Sequence, residues 1–197
     1  MMISFLLAGT IPGESLPLWG LKHQGEKIIY RLQTPGETDI LSFAIVGSTA
    51  KYGYRMIWFE HTIYIKDFPN SMTVVKILVN PRNLKEVKKV YIKYGAGATM
   101  EWDSDKIEAK RDYLESILNP SRKKGTRNTL LGEEKVKVPA GSFDCYKVSW
   151  KSSDGESGVF YVDKKHGFIV KAVSKNSQLL LIEYKPSGAR SLLPVFR

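Results

Sequence analysis

The chain contains one cysteine, Cys145, in 197 residues. It therefore forms no internal disulfide and no multi-cysteine zinc site. A disulfide-free chain fits either redox compartment, so cysteine usage leaves location open. Histidine is scarce too. His23, His61 and His166 are the only three, and none forms the His-x-x-x-His pair of a helical metal site. No apolar run reaches the roughly eighteen residues of a membrane-spanning helix. Gly95-Ala-Gly97 lacks both the Gly-Lys-Ser/Thr of a phosphate loop and the third glycine of a dinucleotide turn. No Gly-x-Ser-x-Gly elbow is present. The acidic group Glu101, Asp103, Asp105 and Glu108 lacks the glycine and spacing of a calcium loop, and it reads as acids gathered at a helix start. Cys145 has only Lys147 nearby in sequence to lower its pKa and reads as a packed thiol. These absences leave no catalytic constellation, and no metal or cofactor is expected.

What is present is mostly β pattern. Glu134 to Val148 carries alternating Val136, Val138, Tyr146 and Val148 on either side of a Pro139-Ala-Gly141 corner, two antiparallel strands with a tight turn. Pro139 suits the first turn position, and Gly141 supplies a conformation closed to other residues. Further strands are expected over 25–32, 39–46, 52–66, 72–79, 87–94, 129–138, 143–151, 159–163, 168–174 and 178–185. Along 52–66 the residues Ile57, Phe59, His61, Ile63 and Ile65 share one face, and Tyr54, Met56, Trp58, Glu60, Thr62 and Tyr64 the other. One helix is expected, capped by Asp103 or Ser104, with Ile107, Leu114, Ile117 and Leu118 on its apolar stripe and Asn119-Pro120 as its stop. About nine or ten hairpin-linked strands with one helix predict a mainly-β, single antiparallel sheet, strongly curved around that helix as a half-barrel. The expected organisation is an N-terminal segment over 1–24, the domain over 25–185 and a tail over 186–197. The N-terminal segment is either the remnant of a leader or a strand that docks on the body. The tail has an apolar patch of its own, Leu192-Leu-Pro-Val-Phe196.

Several of these segments carry a family resemblance. The opening Gly25-Glu26-Lys27-Ile28-Ile29-Tyr30, the mid-chain helix over 106–118 and the hairpin Val138-Pro139-Ala140-Gly141-Ser142-Phe143-Asp144-Cys145 resemble an extracytoplasmic family catalogued as a domain of unknown function. The Gly158–Tyr161 and Gly167–Lys171 segments extend the likeness, which covers residues 25 to 185. The family's fold is related to the lipoprotein carrier and receptor of the bacterial envelope, LolA and LolB. The resemblance implies a half-barrel that holds or passes on an apolar ligand, and an extracytoplasmic location. The chain departs from the family in two respects. Its start lacks the positive region of a secretory signal, and the stretch before the hairpin is short and basic.

The most useful functional hint is a surplus of apolar surface. A sheet wet on one side needs one apolar face. Ile57, Phe59, Ile63 and Ile65 already provide it, yet Tyr54, Met56, Trp58 and Tyr64 load the opposite face, and Tyr146, Val148 and Trp150 add another row. The helix, a terminal segment, a partner chain or a ligand must cover these rows. Tyr54, Met56, Trp58, Tyr64, Tyr146 and Trp150 are the candidate lining of a hydrophobic site, and a fully packed interior is the alternative. The formal charge of +10 is broad and heaviest between residues 51 and 100. Lys88, Lys89 and Lys93, interleaved with Tyr91 and Tyr94, and the loop residues Arg122, Lys123, Lys124 and Arg127 are the candidates for phosphate contact, whether nucleic acid or lipid headgroup. A solvated lysine surface is the plainer account. The order of expectation is a non-enzymatic carrier for a lipid or acyl chain, then a protein-interaction module, then a nucleic-acid binder. Contact with a membrane, if any, is peripheral.

Overall fold

A computed structural model describes residues 17–65, 71–118 and 126–193. Eleven strands form one open antiparallel sheet: β1 Lys27–Thr34, β2 Glu37–Thr49, β3 Met56–Ile65, β4 Thr73–Asn80, β5 Asn83–Tyr94, β6 Met100–Trp102, β7 Arg127–Val138, β8 Gly141–Lys151, β9 Ser157–Asp163, β10 Ile169–Ser174 and β11 Ser177–Lys185. Their order across the sheet is β6-β5-β4-β3-β2-β1-β11-β10-β9-β8-β7. Two meanders therefore meet where β1 pairs with β11, from Lys27 opposite Lys185 to Gln33 opposite Gln178, with a bulge between Ile29 and Tyr30. Between β6 and β7 the chain passes from one edge of the sheet to the other. The sheet is coiled, because β7 comes against β10 and β11, which are not its hydrogen-bonded neighbours.

The helix expected over 106–118 is two short ones, α1 Ser104–Ala109 and α2 Arg111–Leu118, broken at Lys110. Asp103 is the N-cap, its Oδ1 accepting the Lys106 N–H at 2.8 Å. No residue of α1 is buried, whereas α2 buries Leu114, Ile117 and Leu118. The division follows the stripe: Ile107 is the only apolar stripe residue before the break, and one residue does not hold a helix on a sheet. Most strand limits differ from expectation by one to three residues, and two differ by four. Residues 52–55 belong to the turn before β3, where the Gly53 N–H donates to the Ala50 carbonyl, and β5 begins at Asn83 rather than Val87. The expected stop at Asn119-Pro120, the loop residues Arg122, Lys123 and Lys124, and the segment before Pro17 lie outside the described residues.

The inner face of the sheet holds one core. Tyr30, Phe43, Phe59, Phe160 and Phe168 are its largest fully buried aromatic side chains. Trp19, in a 3-10 turn over Pro17–Gly20, stacks on Phe43 at 4.0 Å and donates its Nε1–H to the Ile117 carbonyl at 2.8 Å. The segment before β1 and helix α2 thus lock together across the inner face. A pocket between α2 and β5, lined by Leu84, Val87, Ile107, Arg111 and Leu114, holds about 10 Å³, the room of a single water. Gly141 takes the φ of +136° that the corner after Pro139 was expected to need.

Gly158 on β9 is set by close approach. A Cβ there would lie 2.3 Å from the Val173 carbonyl oxygen and 2.7 Å from Trp150 Nε1. Gly158→Ala is expected to lower stability by about 2 kcal/mol through overpacking, measured by urea unfolding. A loss below about 0.5 kcal/mol would mean that β9 and β10 separate freely at this point.

Candidate functional site

On the β3–β5 side of the sheet, toward the β6 edge, both faces are buried. Along β4 every residue from Val74 to Val79 is buried. Val75, Ile77 and Val79 join the inner core, whereas Val74 belongs to a second cluster with Tyr91 and Leu193, packed against Trp58 and Met72. Strand pairing builds this outer face in rows. Glu60 of β3 lies opposite Lys76 of β4, which lies opposite Tyr91 of β5. Trp58, Leu78 and Lys89 form the row on one side of it, and Thr62, Val74 and Lys93 the row on the other.

Residues 191–193 lie across the central row. Leu192 N–H donates to Glu60 Oε1 at 3.0 Å, and the Ser191 hydroxyl donates to Glu60 Oε2 at 2.6 Å. Lys76 Nζ donates to the Leu193 carbonyl at 3.1 Å and sits 5.1 Å from the Trp58 ring centre. The Leu193 side chain is 2% exposed and rests among Val74, Tyr91, Trp58 and Met72. Trp58 and Tyr91 are themselves 5.8 Å apart. Both charged residues are almost sealed from water, Glu60 at 3% and Lys76 at 1% exposure. Burial pulls the Lys76 pKa down, and Glu60 opposes that shift.

The candidate lining residues separate into groups. Trp58 and Tyr64 lie on the outer face of β3, with Trp58 beside Leu193 and Tyr64 near the strand end and exposed. Met56 begins that strand and is fully buried. Tyr54 lies in the turn before β3, and its hydroxyl donates to Glu86. Trp150 is part of the inner core on the far wing, with Tyr146 packed against it. These residues therefore do not line one site. Glu60 and Lys76, which carry the polar part of the outer face, were not singled out from the sequence. The signal for them was a lone charge inside each of two apolar runs.

Some of the candidate cations are already paired. Lys88 meets Glu86 at 2.9 Å, and Lys89 meets Glu101 at 2.9 Å. Lys93 is half-buried on β5, and Arg127 is exposed at the start of β7, the opposite edge of the sheet. Cys145 is buried, its pKa pushed up to about 12 by burial and the neighbouring carboxylates. His61 stacks on Phe43 at 4.4 Å, and its Nδ1–H donates to the Ser42 carbonyl at 3.2 Å, a core histidine. Among the described residues no group of three His, Cys, Asp or Glu is placed to hold a metal. Among the same residues no helix is long and apolar enough to cross a membrane.

No protein-family model matches the chain, and no curated protein matches it. Solved structures do show likenesses of shape. A protein of Bacteroides fragilis, assigned as exported and with a YmcC-like fold, aligns at TM-score 0.43 and 12% identity, over 86% of this chain and 99% of that one. The MucA/MucB complex of Pseudomonas aeruginosa aligns at 0.45 and 9%, over 84% of this chain but only 52% of the matched chain. A Vibrio parahaemolyticus domain assigned to outer-membrane lipoprotein sorting aligns at 0.29 and 12%, over 84% and 87%. These are distant similarities, and they bring no role to this chain.

Proposed function

We propose that the protein is a non-enzymatic binding module that takes a hydrophobic ligand onto the outer face of β3–β5, and that it works outside the cytoplasm, as its sequence resemblance implies. The observation that carries the reading is the seat of Leu193. Trp58, Met72, Val74 and Tyr91 make an apolar floor outside the main core, and among the described residues the Leu193 side chain covers it. Binding there rests on burying apolar surface, at about 25 cal/mol per Å². A lipid or acyl chain, the ligand first expected from the surplus apolar rows, is one that this floor accepts. The inner face offers less, because Trp19, Leu114, Ile117 and Leu118 already fill it.

The test uses the chain ended at Arg190. A bromine-labelled fatty acid is expected to quench its tryptophan fluorescence, and quenching should be at least fivefold weaker in the Trp58→Phe form. Trp19, Trp102 and Trp150 belong to the inner core and are out of reach. Quenching that persists without Trp58 would place the ligand elsewhere, and no quenching would remove the acyl ligand.

A further inference from the structure

The polar contacts around Leu193 say more about the ligand than the apolar floor does. This step rests on the reading that the outer face of β3–β5 is a binding site. Glu60 and Lys76 are buried charges, and each isolated buried charge costs several kcal/mol unless hydrogen-bonded. Their partners here are the Leu192 N–H, the Ser191 hydroxyl and the Leu193 carbonyl. Two of the three are backbone groups, which every residue possesses. They lie on consecutive residues at a bend of the chain, N–H toward the carboxylate and C=O toward the ammonium. Only the leucine seat and the Ser191 hydroxyl read side chains. A free acyl chain offers neither group. Its carboxylate would reach Lys76 only by lying against Glu60, a like-charge contact.

We propose that this face is a receptor for a bent polypeptide segment with a leucine-like side chain, supplied by a partner protein. The chain's own residues 191–193 are its tethered occupant, which the partner's segment displaces. The connection from Lys185 to Arg190 is short and largely exposed, so the tethered segment competes at an effective concentration on the order of millimolar. The resting protein therefore keeps its apolar floor covered and yields it only to a segment that reproduces both backbone contacts.

The probe is a fluorescent peptide of residues 186–197, measured by anisotropy against the full native chain and against the full chain carrying Leu193→Asp, which unseats the tail. The peptide should bind the Leu193→Asp chain at least tenfold more tightly than the native chain. The same peptide N-methylated at Leu192 should bind at least tenfold more weakly. In the native chain, excess peptide should speed hydrogen exchange at the Leu192 amide, a readout that does not require the variant to fold. Equal binding of the plain and N-methylated peptides would overturn the polypeptide inference. If the bromine-labelled fatty acid still quenched Trp58, the site would then be a general apolar one. If neither peptide nor fatty acid bound, the receptor and the binding module would fall together.

Discussion

Acidification from pH 6.5 to 4 is expected to remove about 3 kcal/mol of folding stability through one side chain, His61. The imidazole is 6% exposed, stacked flat on Phe43. Burial pulls its pKa from the ordinary 6.5 to about 4, although the Ser42 carbonyl favours the protonated ring. The unfolded chain therefore takes up a proton below pH 6.5 that the folded chain refuses until about pH 4. The contribution is fully present above pH 6.5 and is lost progressively as the pH falls to 4, at about 1.4 kcal/mol per unit. Urea unfolding at intervals from pH 7.5 to 4 measures it. His61→Phe keeps a ring against Phe43 and cannot titrate, so it should flatten this part of the profile. A separate acid loss belongs to Glu86, whose carboxylate Asn80, Tyr54 and Lys88 hold at a pKa of about 2. That loss sets in below about pH 4.5 and should be untouched by the His61 substitution. Identical profiles for native protein and variant would mean that His61 is already charged in the fold.

The same residue shows what was readable beforehand and what was not. Its place on the face of Ile57 and Phe59 follows from period two alone, and so does its character as a core histidine. Most strands were legible for that reason, since each has enough residues for alternation to show. Where the pattern failed, it failed locally. Tyr52 and Tyr54 continue the alternation of β3 backwards by coincidence, although a turn closes there. Met100–Trp102 is too short to show a period at all. Lys85 and Glu86 broke the apolar pattern at the start of β5, which is a bulged strand. No breaker residue marks the division at Lys110, because lysine is a good helix former, and the thin stripe before it, Ile107 alone, is the one sign of it.

The candidate site was legible as a surplus and not as an arrangement. Trp58 on a face that needed no apolar residue was a real signal. A terminal segment was one of the covers expected for it, and Leu193 is that cover. What alternation cannot give is register. Nothing within 56–65 or 73–80 says that Glu60 falls opposite Lys76, because that depends on where the β3–β4 connection turns. Alternation puts Tyr54 in one row with Trp58, and Tyr146 and Trp150 in another like it, but Tyr54 lies in the turn before β3. The order of strands across the sheet separates Tyr146 and Trp150 on β8 from Trp58 on β3.

Glu60→Ala is expected to be among the most damaging single substitutions in the protein, at about 3–5 kcal/mol. It leaves Lys76 buried without the carboxylate opposite it and takes the acceptor from both the Leu192 N–H and the Ser191 hydroxyl. Lys76→Met should cost clearly less. It spares the two donors that satisfy Glu60, and methionine fills the lysine's place beside Trp58. The difference has a pH signature. Without Glu60 the Lys76 pKa falls further below 10.5, so the folded variant binds fewer protons than the unfolded chain between those values. Part of the lost stability should therefore return as the pH rises toward 10. The double substitution Glu60→Ala with Lys76→Met removes both charges at once and should be less costly than Glu60→Ala alone, a coupling that a double-mutant cycle in urea measures directly. Strictly additive effects, or a Glu60→Ala loss under about 1 kcal/mol, would show that water reaches the pair beneath residues 191–193. The outer face would then be a wet surface with a loosely resting tail.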